Sequence, residues 1–294
     1  MKRFVGMMLV AVSAAAFGTL AIFGRYAYAD GMDAATILFL RFSLSAMVMA
    51  ALLAARREPL PSGSALVRLV GMGAVGYVGQ AFSYLTALKF ASPGLVALLL
   101  YLYPGFVVIL SAILLREQIT RVKMLALGLV LAGTALTVGP EGGQLPGILL
   151  AISAAAIYSV YIIVGSRVMT QVSAVQSSAV IFASAGAACG VLIAVNGPHL
   201  PATGAGWLAT GSIVVVATVL PVAAFLAGMK RIGPTNAAML STLEPAVTVG
   251  LAAWLLGEML MPITLLGGGL ILGGVLLLMR RELRPHDARP AAGE

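Results

Sequence analysis

The chain has 294 residues, 61% hydrophobic and 10% charged, with 18 basic against 10 acidic side chains. So little polar surface excludes a water-soluble domain of this length. The formal net charge of +8 would suit a nucleic-acid partner, but the placement of the charges along the chain rejects that reading.

Ten apolar runs of roughly bilayer-crossing length follow one another, at 4–26, 33–55, 65–88, 93–114, 122–139, 145–165, 174–195, 207–229, 235–256 and 263–280. Inside lipid the backbone must satisfy its own hydrogen bonds, so these runs are predicted to be helices. No alternating strand pattern supports a barrel. The start, MKRFVGMMLVAVSAAAFGTL, imitates a secretory signal. Its apolar run is about 21 residues, longer than a signal core, so it is expected to remain as the first helix.

In the second run Arg41 is the one deep cation. A guanidinium there suits a substrate carboxylate; bonding to backbone carbonyls or snorkelling outward is the favoured alternative. The third run carries Tyr77, Gln80 and Tyr84 on one helical face, among Gly71, Gly73, Gly76 and Gly79. The fourth places Tyr101 and Tyr103 beside Pro104. The loop GPEGGQLPG, 139–147, divides the chain, giving units 1–140 and 141–282 and a polar tail 283–294 expected to be disordered and cytoplasmic. In the sixth run Tyr158 and Tyr161 share a face, and Cys189 in the seventh reads as a small buried apolar residue. Pro221 interrupts the eighth. The ninth aligns Ser241, Glu244 and Thr248 on one face, with Pro245 next to Glu244. In the tenth, Gly269 and Gly273 form a GxxxG expected to pack against the fifth helix.

Each of these prolines removes a hydrogen bond and frees a carbonyl four residues back, at Leu100, Ala217 and Ser241. Kinks beside a midplane site serve gating; kinks fixed for packing alone are the alternative. Glu244 is the only carboxylate deep in the membrane, about nine residues or roughly 14 Å along its helix. A protonatable site or an ammonium binder suits it, against a structural Glu bonding neighbouring helix ends. The tyrosine faces, with Gln80, Ser241 and Glu244, are expected to line one pocket, tyrosines against an apolar or aromatic solute and polar groups on its head. Tyr26, Tyr28, Trp207 and Trp254 read as interface belt. One cysteine and two histidines, His199 and His286, cannot build a metal site, and no phosphate loop is present, so no metal, cofactor or ATP is expected.

Lys89, Pro93, Pro104 and Glu117 recur 141 positions later as Lys230, Pro234, Pro245 and Glu258. The first helices match more weakly, through SAAAFG against SAAAIY. Five helices per copy is odd, so the second copy is expected to enter the membrane from the opposite side. With the amino terminus in the cytoplasm, fifteen of the eighteen basic residues fall on the inner side, and Arg25 and Lys89 in outer loops. This positive-inside bias sets both termini in the cytoplasm.

These features together resemble the drug/metabolite transporter superfamily, in its ten-helix EamA-type branch. The resemblance rests on Arg41 in LFLRFSLSA, the Lys89–Glu117 segment and its copy ending in Leu243-Glu244-Pro245 and Leu256-Gly257-Glu258, and Gly267 to Gly274. Phe17 stands where Trp is common, and Arg116-Glu117 replaces the usual Gly-Glu. The resemblance implies that helices 1–4 and 6–9 line the cavity while 5 and 10 brace it. The expected protein is an all-α integral membrane chain of two inverted five-helix repeats, a monomer in the bacterial inner membrane. It would export small metabolites, most specifically aromatic or apolar amino acids, by alternating access. Another exporter of the same fold is the alternative; a membrane-embedded lipid-modifying enzyme is the rival class, and one deep Glu without a membrane His supplies it poorly.

Overall fold

A computed structural model describes residues 2–91, 93–138, 143–256 and 261–283. Gly257, Glu258 and the tail from residue 284, including His286, lie outside the described residues. The described chain is helical, and one bridge between Ala91 and Gly143 is its sole extended pairing. Nine stretches among the described residues are long and apolar enough to cross a membrane.

Helix α1 (Lys2–Gly18) breaks at Thr19, whose hydroxyl donates to the Ala16 carbonyl at 2.6 Å, and resumes as α2 (Leu20–Ala29). α3 (Ala34–Ala55) is capped by Asp33, which accepts the Thr36 N–H at 2.8 Å. α4 (Gly63–Gly71) passes through a π-helical stretch, Met72–Tyr77, into α5 (Val78–Ala87). α6 (Pro93–Leu100) is broken from α7 (Tyr103–Leu114), and α8 (Arg121–Val138) ends the first copy.

The second copy repeats this layout. α9 (Leu145–Val168) is unbroken, and α10 (Ala174–Asn196) starts with a Ser173–Gln176 capping box. α11 (Gly204–Val214) passes through a second π-helical stretch, Val215–Val219, into α12 (Leu220–Ile232). α13 (Pro234–Ser241) is broken from α14 (Leu243–Leu256), and α15 (Pro262–Leu283) follows. The break between Ser241 and Leu243 answers the break between Leu100 and Tyr103. Its cause is proline. Without an N–H, Pro104 and Pro245 are costly inside a helix and tolerated in its first turn, where each now sits. Glu244 therefore lies not in mid-helix but in the first turn of α14.

Contacts recur at the same 141-residue offset. A Cβ on Gly6 would meet Ile232 and Arg231 at 2.7 and 2.8 Å; one on Gly147 would meet Ala91 at 2.8 Å and Phe90 at 3.0 Å. A Cβ on Gly133 would meet Gly267 and Ile271; one on Gly274 would meet Ala126 and Val130. These equivalences fix the register of the first helices at 141. The SAAA match, one residue shorter, is coincidence of composition. They also correct the reading of the GxxxG: α15 does pack on α8, but through Gly274, while Gly269 and Gly273 face open space.

Arg116 adopts φ 54°, the left-handed conformation glycine takes freely. That explains why a Gly-Glu pair is usual there; Arg carries roughly 1–2 kcal/mol of strain in its place. The turn presents Glu117 to two partners. Its Oε1 accepts from Lys123 Nζ at 2.6 Å, and its Oε2 from the Thr235 hydroxyl at 2.7 Å, in the first turn of α13. The two copies are thus tied together at the face that carries the amino terminus.

Candidate functional site

A cavity of about 730 Å³ lies among α1, α2, α3, α5, α6 and α7, with α9 and α14 also lining it. Seven of the expected site residues line it: Tyr77, Gln80, Tyr84, Tyr101, Tyr103, Tyr158 and Glu244. Arg41, Phe17, Leu100 and Thr248 line it too. At its rim Arg25 and Tyr28 are exposed, at the end of α2 away from the amino terminus. Tyr28, expected in the interface belt, therefore stands at the cavity mouth.

Tyr161 and Ser241 do not reach the cavity. Tyr161 is 5% exposed and packs edge-on to Tyr77 and stacked on Tyr158, both with ring centres 5.8 Å apart. Ser241 turns its hydroxyl back to the Ala237 carbonyl at 2.9 Å. Sharing a helical face with a lining residue is insufficient, because α9 and α13 both dip into the closed core below the cavity. Pro221 is also buried behind the wall, and its carbonyl accepts the Ser13 hydroxyl at 2.7 Å. The expected brace holds for α8 and α15, which stay off the lining. α10, α11 and α12 stay off it as well, contrary to the expectation for helices seven and eight.

The cavity has an aromatic floor and one acidic pole. Tyr103 meets Tyr158 edge-on at 4.8 Å and lies 6.5 Å from Tyr101. The Tyr103 hydroxyl donates to the Ala238 carbonyl at 3.4 Å, across the two copies. Glu244 faces this floor, and no protein donor reaches its carboxylate among the described residues. Thr248 holds the backbone beside it, donating to the carbonyls of Glu244 and Gly18 at 3.0 and 3.1 Å. A carboxylate this deep without a donor is costly unless a solute cation, a proton or water meets it.

Arg41 is 6% exposed and held on two sides. Its Nε donates to Thr218 Oγ1 at 2.7 Å, and its Nη2 to Tyr77 OH at 3.2 Å and the Ala217 carbonyl at 3.5 Å. Ala217 is the residue whose carbonyl Pro221 leaves without its helical donor. The structural reading of Arg41 thus accounts for Nε and Nη2, yet the side chain still fronts the cavity. Sequence reasoning missed Phe17 as a lining residue, since its face carries no polar neighbour to signal it; it favoured a structural role for Arg41 and put Thr248 on the Glu244 face without naming it as a site residue.

Below the cavity, toward the amino-terminal face, one continuous core runs through Met7, Leu69, Met72, Met169, Leu226 and Met229, none more than 4% exposed. Toward the other face the core splits. One part joins Ala27, Ile37 and Ile213; the other joins Ala87, Val96 and Ala151. The cavity runs between the two parts. The protein is closed at one face and parted at the other.

The sequence pattern of the EamA-like transporter family matches residues 4–139 and again 145–280. An uncharacterised transporter of Archaeoglobus fulgidus is 28% identical over 94% of this chain and 96% of its own length. An aromatic amino acid exporter, YddG, of Ancylobacter novellus is 31% identical over 60% of each chain. A solved crystal structure superposes with a TM-score of 0.81 at 24% identity, covering 95% of this chain and 99% of its own. With two matches of the family pattern spanning the chain, this protein belongs to the EamA-like transporter family, within the drug/metabolite transporters.

Proposed function

We propose that this chain is a secondary transporter that exports small metabolites by alternating access, and that its cargo is an amino acid with an aromatic or apolar side chain. The carrying observation is a cavity between parted core clusters at one face and a sealed core at the other, with one carboxylate that lacks a protein donor among the described residues above a tyrosine floor. An ammonium would complete Glu244, and the rings of Tyr101, Tyr103 and Tyr158 would receive an apolar or aromatic body. In this reading the chain crosses the bacterial inner membrane ten times, the second copy inverted, with both termini in the cytoplasm. The charge bias supports that orientation. The cavity then opens outward. The chain acts as a monomer, and transport is passive or coupled to proton exchange at Glu244. The partial similarity to an aromatic amino acid exporter points the same way as the floor.

Counterflow in proteoliposomes tests the proposal. Vesicles loaded with unlabelled phenylalanine should accumulate labelled phenylalanine, tyrosine or leucine saturably. Turnover of a lipid with no solute flux would sink it in favour of a lipid-modifying enzyme.

A further inference from the structure

The 141-residue equivalence makes a second use of the cavity possible. Each lining residue has a counterpart in the other copy, and the counterparts can be examined one by one. Two pairs have both members in the present cavity: Phe17 with Tyr158, and Tyr103 with Glu244. The register of the first pair is fixed by contact rather than by sequence. A Cβ on Gly18 would lie 3.2 Å from the Glu244 carbonyl, and the Ser159 hydroxyl lies 3.2 Å from the Tyr103 carbonyl. Gly18 and Ser159 are therefore equivalent, and so are their neighbours Phe17 and Tyr158.

All other lining residues have counterparts outside the cavity, and apart from Ser166, the counterpart of Arg25, every one is buried. Tyr84 answers to Phe225, 3% exposed, and Leu88 to Met229, 1% exposed. Arg41 answers to Phe182 and Tyr77 to Thr218, both fully buried. Leu20 and Leu100 answer to Tyr161 and Ser241, the two expected site residues that miss the cavity. These counterparts sit in or against the core that seals the amino-terminal face. Chance does not collect the equivalents of an open lining into one closed plug. Exchange of conformation between the two copies does.

We infer that the solute site open to both faces reduces to Phe17, Tyr103, Tyr158 and Glu244, and that the access path of the opposite state is lined by the present plug, through Phe182, Thr218, Phe225, Met229 and Ser241. The shared site is three aromatic rings and one carboxylate. It takes a solute with a cationic head and an apolar or aromatic body. Tyr77, Gln80, Tyr84 and Arg41 belong to the path of this state alone. Their substitution affects entry from one side, whereas the four shared residues act from both. The inference rests on the alternating-access reading and is independent of which amino acid is carried.

Single cysteines placed in a Cys189→Ser chain, in oriented membrane vesicles without added solute, test it through a membrane-impermeant thiol reagent. Leu88→Cys should be modified only from the face opposite the amino terminus, and Met229→Cys only from the amino-terminal face. Tyr158→Cys should be modified from both. Ser241→Cys, a near-isosteric change, repeats the Met229 measurement with little demand on packing. Modification of Tyr158→Cys from one face only would overturn the shared site. Failure of both Met229→Cys and Ser241→Cys to react from the amino-terminal face, over hours in a folded protein, would overturn the second path. Absence of amino-acid counterflow with this labelling pattern intact would instead remove only the cargo reading.

Discussion

Replacing Glu244 with Gln separates binding from folding, because among the described residues the carboxylate has no protein hydrogen-bond donor to lose. The stability term comes from its place in the first turn of α14, where a negative charge gains about 0.3–1 kcal/mol from the helix dipole. Gln also ends the desolvation cost of the charge, so unfolding should move by less than about 1 kcal/mol. The binding term is larger. A hydrogen bond to a charged group contributes about 1.5–3 kcal/mol, so the apparent affinity for an ammonium-bearing solute should fall roughly 10- to 150-fold. Counterflow titration gives the affinity, and thermal unfolding in detergent gives the stability. An affinity within twofold of the parent would refute the assignment of Glu244 as the cationic pole. The same variant decides coupling: if transport keeps its dependence on a pH gradient, proton exchange does not pass through Glu244.

Gly133→Ala should destabilise the α8–α15 pair by about 1–3 kcal/mol, since its Cβ would lie 2.5 Å from the Gly267 carbonyl oxygen and 2.8 Å from the Ile271 nitrogen, both backbone. Gly269→Ala should leave the melting temperature unchanged, and the reverse ranking would restore the GxxxG face as the packing surface. Asp30 joins the end of α2 to the start of α11, accepting from the Thr203 hydroxyl at 2.6 Å and from the N–H groups of Thr203 and Ala202. The Thr203 hydroxyl and these backbone bonds hold its carboxyl below the ordinary 3.8. A depressed carboxylate stabilises above its unfolded pKa and loses that contribution as pH falls through the folded value. Melting curves below pH 3.8 should therefore fall more steeply in the parent than in Asp30→Asn; parallel curves would refute the link. Thr235→Val removes the tie from α13 to Glu117 while sparing the Lys123 pair. Modification of Met229→Cys from the amino-terminal face should then rise about tenfold, for a bond of about 1.5 kcal/mol, and an unchanged rate would exclude Thr235 from holding that face shut.

Class and repeat were legible in the sequence because hydrophobic length and a fixed period survive divergence. Tyr77, Gln80 and Tyr84 were legible as a group because a polar face on an apolar helix has few purposes. What the sequence left hidden has a common physical origin. Helical periodicity says which residues share a face, but the state of the protein decides whether that face meets solute or protein. Tyr161 and Ser241 follow the helical faces of lining residues, but in this state they meet protein. Register in the first helix failed because runs of alanine match at any small slip, and only the backbone approaches at Gly6 and Gly147 settle it. The π-helical stretches had a signal only in the second copy, where Pro221 obliges the helix to widen. In the first copy Gly73 lets the backbone press against Ser184 and Ile181 of α10, and no residue there announces it.

Comparing the copies also separates what must move from what cannot. Under the proposed exchange between states, contacts present in both copies belong to the parted half and the sealed half alike and would survive it. The approach of α1 to α12 at Gly6 and of α9 to the Phe90–Ala91 turn at Gly147 is one such pair; α8 with α15 is another. In the same reading, core contacts present once are those that would break. The Tyr103 hydroxyl on the Ala238 carbonyl is one, since its equivalent partners would be the Glu244 carboxylate and the Ala97 carbonyl, two acceptors that cannot reproduce it. Arg41 is the other. It holds Tyr77 and Thr218 together, which are equivalent positions in the two π-helical stretches, while Phe182 occupies its own equivalent place. A cation on one side of the pseudosymmetry and a phenyl ring on the other make the two states unequal in energy. In the alternating-access reading the Arg41 bonds are made in the state described here and favour it over its opposite.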